Sequence, residues 1–127
     1  MATTWADLEE ARPELAAAGR ALLYQYGLGL AFLGTVRFSD GGPRVFPIAP
    51  LLADGGLFAF IVRSFKRGDL HNDGRYALHT FPREEDEDAF YLSGRAELLT
   101  DINRGGLLRT RYLAERDLEE PPPGFEE

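Results

Sequence analysis

The chain has 127 residues, of which 44% are hydrophobic and 28% charged, with no cysteine and a formal net charge of −7. That length supports one domain around one core. The lack of cysteine excludes disulfides, thiolate metal sites and cysteine nucleophiles, and no apolar run approaches the ~20 residues needed to cross a bilayer.

The charge is unevenly placed. Residues 84–88 (EEDED) and 117–127 (DLEEPPPGFEE) carry five acids each and no Lys or Arg, which leaves eleven acids against fourteen basic residues elsewhere. The body of the domain is therefore mildly basic. That balance suits a small anionic ligand, whereas a nucleic-acid binder is expected to show a basic stripe on a basic domain. The N-terminus lacks the basic-then-apolar pattern of a secretory signal, so a cytoplasmic setting is expected.

In chain order, residues 3–27 (TTWADLEEARPELAAAGRALLYQYG) read as helix, with Leu8, Leu15 and Leu22 at heptad spacing and Leu23 and Tyr26 widening the stripe. Thr4 with Asp7 resembles a capping box, Pro13 splits the segment by opening a second helix, and Gly27 is the expected stop. The period then changes. LGLAFLGTVRF, RVFPIAPLL and LFAFIVR are separated by SDGG and ADGG, which predicts a three-stranded antiparallel meander. Pro47 and Pro50 cannot donate to a ladder, so those stretches belong at an edge, at a bulge or beside a ligand.

KRGDLHNDG then predicts one or two helical turns stopped by Gly74, with Leu70 inward, and RYALHTF a strand. PREEDEDA is a charged loop and FYLSGRAELLT a strand, bulged or bent at Gly94. DINRGGLLRTRYLAERDL reads as a helix capped by Asp101, and the tail 117–127 has no reason to fold alone. These elements predict a mainly β, α+β domain: a small antiparallel barrel with N-terminal helices, a short inter-strand helix and a C-terminal helix. Its edges need covering, by dimerisation or by helices.

One basic segment carries chemistry. Arg63, Ser64 and Lys66 fall between a strand and the start of a short helix, where free N–H groups and the positive end of the helix dipole suit a phosphate. The same residues also fit a plain N-cap with solvated bases. The two histidines, His71 and His79, lack carboxylate partners in sequence, so no metal site is expected. EEDED lacks the spaced pattern of a calcium loop, and the DGG turns join strand to strand, unlike nucleotide-binding glycine loops. No self-contained catalytic constellation is present, so an enzyme of this sequence would rely on a cofactor.

Three stretches in this order resemble the pyridoxamine 5′-phosphate oxidase-like, FMN-binding split-barrel family: FLGTVRFSDGGPRVFPIAP (32–50), SFKRGDLHNDGRYALHTF (64–81) and FYLSGRAELLT (90–100). The resemblance covers roughly residues 10–115 and implies a split β-barrel homodimer with a flavin in each of two interface clefts. It implies that Lys66 is a ligand of the FMN phosphate, with Arg63 and Ser64 on the same approach, and that Phe46, Pro47 and Ile48 lie along the isoalloxazine ring. It implies hydride transfer to or from a small molecule, with catalytic residues unassigned. A deazaflavin on the same fold, or a non-catalytic flavin- or haem-binding or sensor module, are the alternatives. Family members that oxidise pyridoxamine phosphate carry a basic pair where this chain has Phe65-Lys66, and their C-terminal arginine motif has no counterpart here. Those departures point away from vitamin B6 oxidation itself.

Overall fold

The computed structural model describes residues 3–61 and 65–116, with Phe65 and Lys66 described by backbone alone. Helix α1 spans Trp5–Ala11 and α2 spans Pro13–Leu23. Strands β1 (Ala31–Val36) and β2 (Pro43–Ile48) follow, then β3 (Pro50–Ala53) and β4 (Gly56–Ala59). Helix α3 (Phe65–Asn72), strands β5 (Arg75–Thr80) and β6 (Tyr91–Arg95), and helix α4 (Ile102–Glu115) complete the order.

The helix starts follow local chemistry. The Thr4 side chain accepts from the Asp7 N–H while the Asp7 carboxylate accepts from the Thr4 N–H, the reciprocal capping box expected. Pro13 occupies the first turn of α2, where its missing N–H costs nothing. Asp101 caps α4 by accepting from the Arg104 N–H. The helical stripe departs from the heptad reading: Ala16, Gly19, Leu22 and Leu23 are buried, while Leu15 and Tyr26 are exposed. Pro13 resets the helix, so the Leu8–Leu15 spacing does not lie on one continuous face. The α2 helix also ends at Leu23, and Gly27 (φ 87°) closes the turn after it.

The expected meander is also revised. β1 and β2 form a hairpin, and β3 and β4 form another around Asp54 and Gly55, whose φ values of 49° and 73° suit a primed two-residue turn. RVFPIAPLL, however, is two strands in two sheets. The β1–β2 ladder ends at Ala31↔Ile48, because the preceding Leu30 N–H already donates to the Leu23 carbonyl of α2. With no ladder partner left, the chain crosses at Ala49 and Pro50 into the second sheet. The result is an antiparallel four-stranded sheet, β2-β1-β5-β6, and the separate β3-β4 ribbon, with no closed barrel among the described residues. β2, which carries Pro43 and Pro47, is an edge strand. Gly94 pairs in register with Tyr76.

β3 is buried along its whole length and serves two cores. Leu52 joins Trp5, Leu22, Leu23, Leu33, Phe46, Leu78 and Phe90 in the main core between the sheet and α1/α2. Leu51 and Ala53 face the other way, against Leu108 and Tyr112 of α4. The Leu52 N–H donates to the Tyr24 hydroxyl at 2.9 Å, and the Ala6 N–H donates to the Gly55 carbonyl, which ties the ribbon to the helices. Trp5 meets Phe90 edge-on, at 6.0 Å between ring centroids.

The crossing leaves no room for a side chain at Gly29, where a Cβ would collide with the Pro50 carbonyl oxygen. Gly29→Ala is expected to destabilise the fold by about 2–3 kcal/mol or more, since the clash is with backbone. Gly68, inside α3, has open space around it, so Gly68→Ala is expected to stabilise by about 0.5–1 kcal/mol. Urea unfolding of the two variants checks both signs.

Candidate functional site

The basic segment leads into α3, and the position of that helix is set by one side chain. Asp69, fully buried, accepts from the Thr35 hydroxyl of β1 at 3.1 Å, from the Phe38 N–H at 2.9 Å and from the Arg44 Nε of β2 at 2.6 Å. Burial alone pushes the Asp69 carboxyl up. The Phe38 N–H, the Thr35 hydroxyl and the Arg44 guanidinium outweigh it and hold the group below its ordinary value of 3.8. An ionised carboxylate therefore docks the second turn of α3 onto the loop end of the β1–β2 hairpin. The sequence reading put Leu70 inward on this turn. Leu70 is half-buried against the main core, and Asp69 is the residue sealed inside.

Lys66 lies in the first turn of α3, which contains no acid. Arg63 and Ser64 lie outside the described residues, as does the tail 117–127. The second group of expected residues divides along β2. The Phe46 side chain is packed in the main core, Ile48 is half-buried against it, and Pro47 is exposed on the opposite face. Only Pro47 among the three presents its side chain to the outer surface of the sheet, so contacts from Phe46 to a ligand would come from its backbone.

The outer face of the four-stranded sheet is the other notable surface. Alternation along β1 buries Ala31, Leu33 and Thr35 and turns Phe32 outward. The register then aligns Pro47, Phe32, His79 and Tyr91 in one row across four strands. Phe81 packs on Phe32 at 4.6 Å between centroids and on Tyr26 at 6.1 Å, extending the aromatic surface. The next row begins with the exposed Val45 and is low beyond it, at Gly34, Ala77 and Ser93. Beyond it Arg75 stands directly opposite Arg95, where a cleft of about 400 Å³ is lined by Arg75, Tyr76, Ser93, Gly94 and Arg95. Asp73 binds Arg75 through its Nε and Nη2 and is drawn down to a pKa of about 2, by the Arg75 hydrogen bonds first and the Arg95 charge last.

The His79 ring nitrogens are distinguished by their surroundings. Nδ1 lies 2.7 Å from the Thr80 carbonyl, which can only accept, so Nδ1 carries a proton. No group of three or more metal-ligating side chains occurs among the described residues, and no helix there is long and apolar enough to cross a membrane. The EEDED stretch is an exposed turn in which Arg83 binds Asp86 and Asp88.

No protein-family model and no curated protein matches the chain. Solved structures do. An F420 reductase is 20% identical over 82% of this chain and 82% of its own, with a TM-score of 0.63. A FAD-binding protein from Mesorhizobium loti is 21% identical over 77% of this chain and 81% of its own, with a TM-score of 0.57. A haem-binding protein from Mycobacterium smegmatis is 18% identical over 86% of this chain at a TM-score of 0.61, and this chain spans 48% of its length. The likeness is one of fold. The chain shares a split-barrel-like arrangement with these three structures.

Removing the Asp69 charge tests the docking of α3. Asp69→Asn is expected to lose about 2–4 kcal/mol at pH 7, somewhat below the full value for a buried pair because Arg44 is part-exposed. A carboxyl held low in the folded state stabilises fully above its unfolded value of 3.8 and loses that contribution as pH falls through the folded value. The gap between wild type and variant should therefore hold from neutral pH down to about pH 4 and narrow below it, as followed by urea titration at each pH.

Proposed function

We propose that this chain is a homodimeric flavin-binding oxidoreductase that holds FMN by its phosphate. Arg63, Ser64 and Lys66 would surround the phosphate at the start of α3, and the β2 stretch Phe46–Pro47–Ile48 would run along the ring. The observation that carries this reading is the Asp69 anchor. It fixes the helix that begins beside Lys66 against the hairpin whose second strand is β2. A phosphate ligand needs such a fixed N-terminal turn, because the N–H groups and the lysine must converge on one point.

The flavin would supply hydride transfer, and the chain would bind it, orient its ring against β2 and limit water at that surface. A deazaflavin would use the same ring surface, and the likeness in fold to an F420 reductase supports testing it. A small-molecule substrate would meet the ring from the side away from β2. The exposed Leu98, Leu99, Ile102 and Leu107 around the start of α4 support a dimer, since burying them in a second copy would remove an apolar patch from water. A second reading, haem binding without catalysis, is favoured by His79 on its aromatic row.

Titration of the protein with FMN should show saturable binding, with FMN fluorescence quenched. Lys66→Ala should weaken it by about 1.5–3 kcal/mol, the worth of a charged hydrogen bond. Sedimentation should give twice the 14.1 kDa chain mass. Competition between FMN and the deazaflavin ranks the two cofactors. No FMN or deazaflavin binding at sub-millimolar concentration would sink the flavin reading.

A further inference from the structure

We propose that the outer face of the four-stranded sheet is a haem site, with His79 Nε2 as the axial ligand of the iron and Arg75 and Arg95 receiving the propionates. The inference rests on the haem reading above and is independent of the flavin one.

Haem needs little from a protein: one Lewis base, a flat apolar surface beneath the macrocycle, and cations at one edge. His79 offers the base. Its Nδ1–H is committed to the Thr80 carbonyl, which fixes the tautomer and leaves the Nε2 lone pair of the neutral ring as the free donor. The same hydrogen bond orients the ring. A flavin could use that lone pair only to accept a hydrogen bond from its ring N–H, whereas ferric iron can bond to it directly.

The neighbours supply the rest. Phe32 and Tyr91 flank His79 on the adjacent strands, in the same cross-strand row, and Phe81 stacks against Phe32. Side chains on one face stand roughly perpendicular to the sheet, so these rings rise beside the imidazole under the porphyrin plane. Along β5 the next outward residue is Ala77, level with Gly34 and Ser93, a low row that leaves space for the macrocycle to extend. Arg75 lies four residues from His79, about 13 Å at the usual strand rise, a distance that the arginine side chains shorten by reaching back.

Two arginines directly opposite one another repel. Asp73 offsets part of that charge through Nε and Nη2 of Arg75, but Nη1 of Arg75 remains, and Arg95 makes no ion pair among the described residues. Two carboxylates arriving at this edge would find complementary charge. In the binding step the Nε2 lone pair forms the bond to ferric iron and displaces its weak axial water or chloride. Nδ1 keeps its proton and no electron moves.

The test is haemin titration of the full chain, followed by the Soret band. Wild type should bind saturably with the spectrum of an imidazole-ligated ferric haem. His79→Ala, with folding checked by its thermal melt, should lose that spectrum and bind roughly tenfold or more weakly, and added free imidazole should restore the band. Arg75→Gln with Arg95→Gln should weaken haemin without moving the band. Metal-free protoporphyrin IX should bind wild type and His79→Ala alike. An unchanged Soret band in His79→Ala would overturn the assignment of His79 while leaving haem binding intact. Absence of saturable haemin binding by wild type would overturn both, and the FMN titration would still decide the flavin reading by itself.

Discussion

Much of the candidate phosphate site depends on one buried carboxylate. Desolvating Asp69 is costly, and the cost is offset only in the geometry where Thr35, the Phe38 N–H and Arg44 all reach it. Helix α3 has only eight residues, with Gly68 inside, and a helix that short is marginal in water without tertiary support. Any shift of α3 along the hairpin would leave a charge buried and unpaired. The ionic anchor thus converts a weak helix into a fixed one, and with it fixes where the backbone of Lys66 begins.

The second constraint is the crossing from β2 to β3. A continuous strand would have placed Leu51 and Leu52 on the same sheet as Phe46, with one facing water. Leaving the sheet at Ala49–Pro50 lets β3 bury both faces, Leu52 toward α1 and α2, Leu51 and Ala53 toward α4. Gly29 allows the close approach that this requires. The packing of α1, α2 and the β3-β4 ribbon consequently falls on the inner side of the four-stranded sheet, where Leu33, Phe46 and Leu78 lie. The outer row of Pro47, Phe32, His79 and Tyr91 has no counterpart element packed on it among the described residues.

The features legible in the sequence are those decided within a few residues. The Thr4–Asp7 box, Pro13 at a helix start, the Asp54–Gly55 turn and the Asp101 cap each need only neighbours in the chain. The β2–β3 division was hidden because it depends on where β1 stops, and that depends on Leu30 donating to α2. The Leu15 stripe misled for a related reason, since periodicity assumes an unbroken helix. Asp69 reads in KRGDL as one more solvated acid, because its partners lie 25 to 34 positions away. Alternation along the RYALHTF strand puts His79 on the face opposite Leu78. Its flanking rings come from β1 and β6, and only the register brings them together.

The two faces of the sheet therefore answer to different demands. Inner positions such as Leu33, Leu78 and Thr35 are held by the core and the Asp69 anchor, so changing them costs stability. Of the outer positions, Tyr91 stays exposed and Phe32 is covered in part by Phe81, so folding places fewer requirements on them. An aromatic–imidazole row on a surface that folding does not constrain is informative for that reason, because large apolar rings left in water stabilise nothing until a ligand or partner covers them. The same separation lets a fold persist while its ligand changes. Solved structures no more than 21% identical to this chain, a FAD-binding protein, a haem-binding protein and an F420 reductase, retain the arrangement. By this argument the outer rows and the start of α3 are where residues can change while the fold is kept.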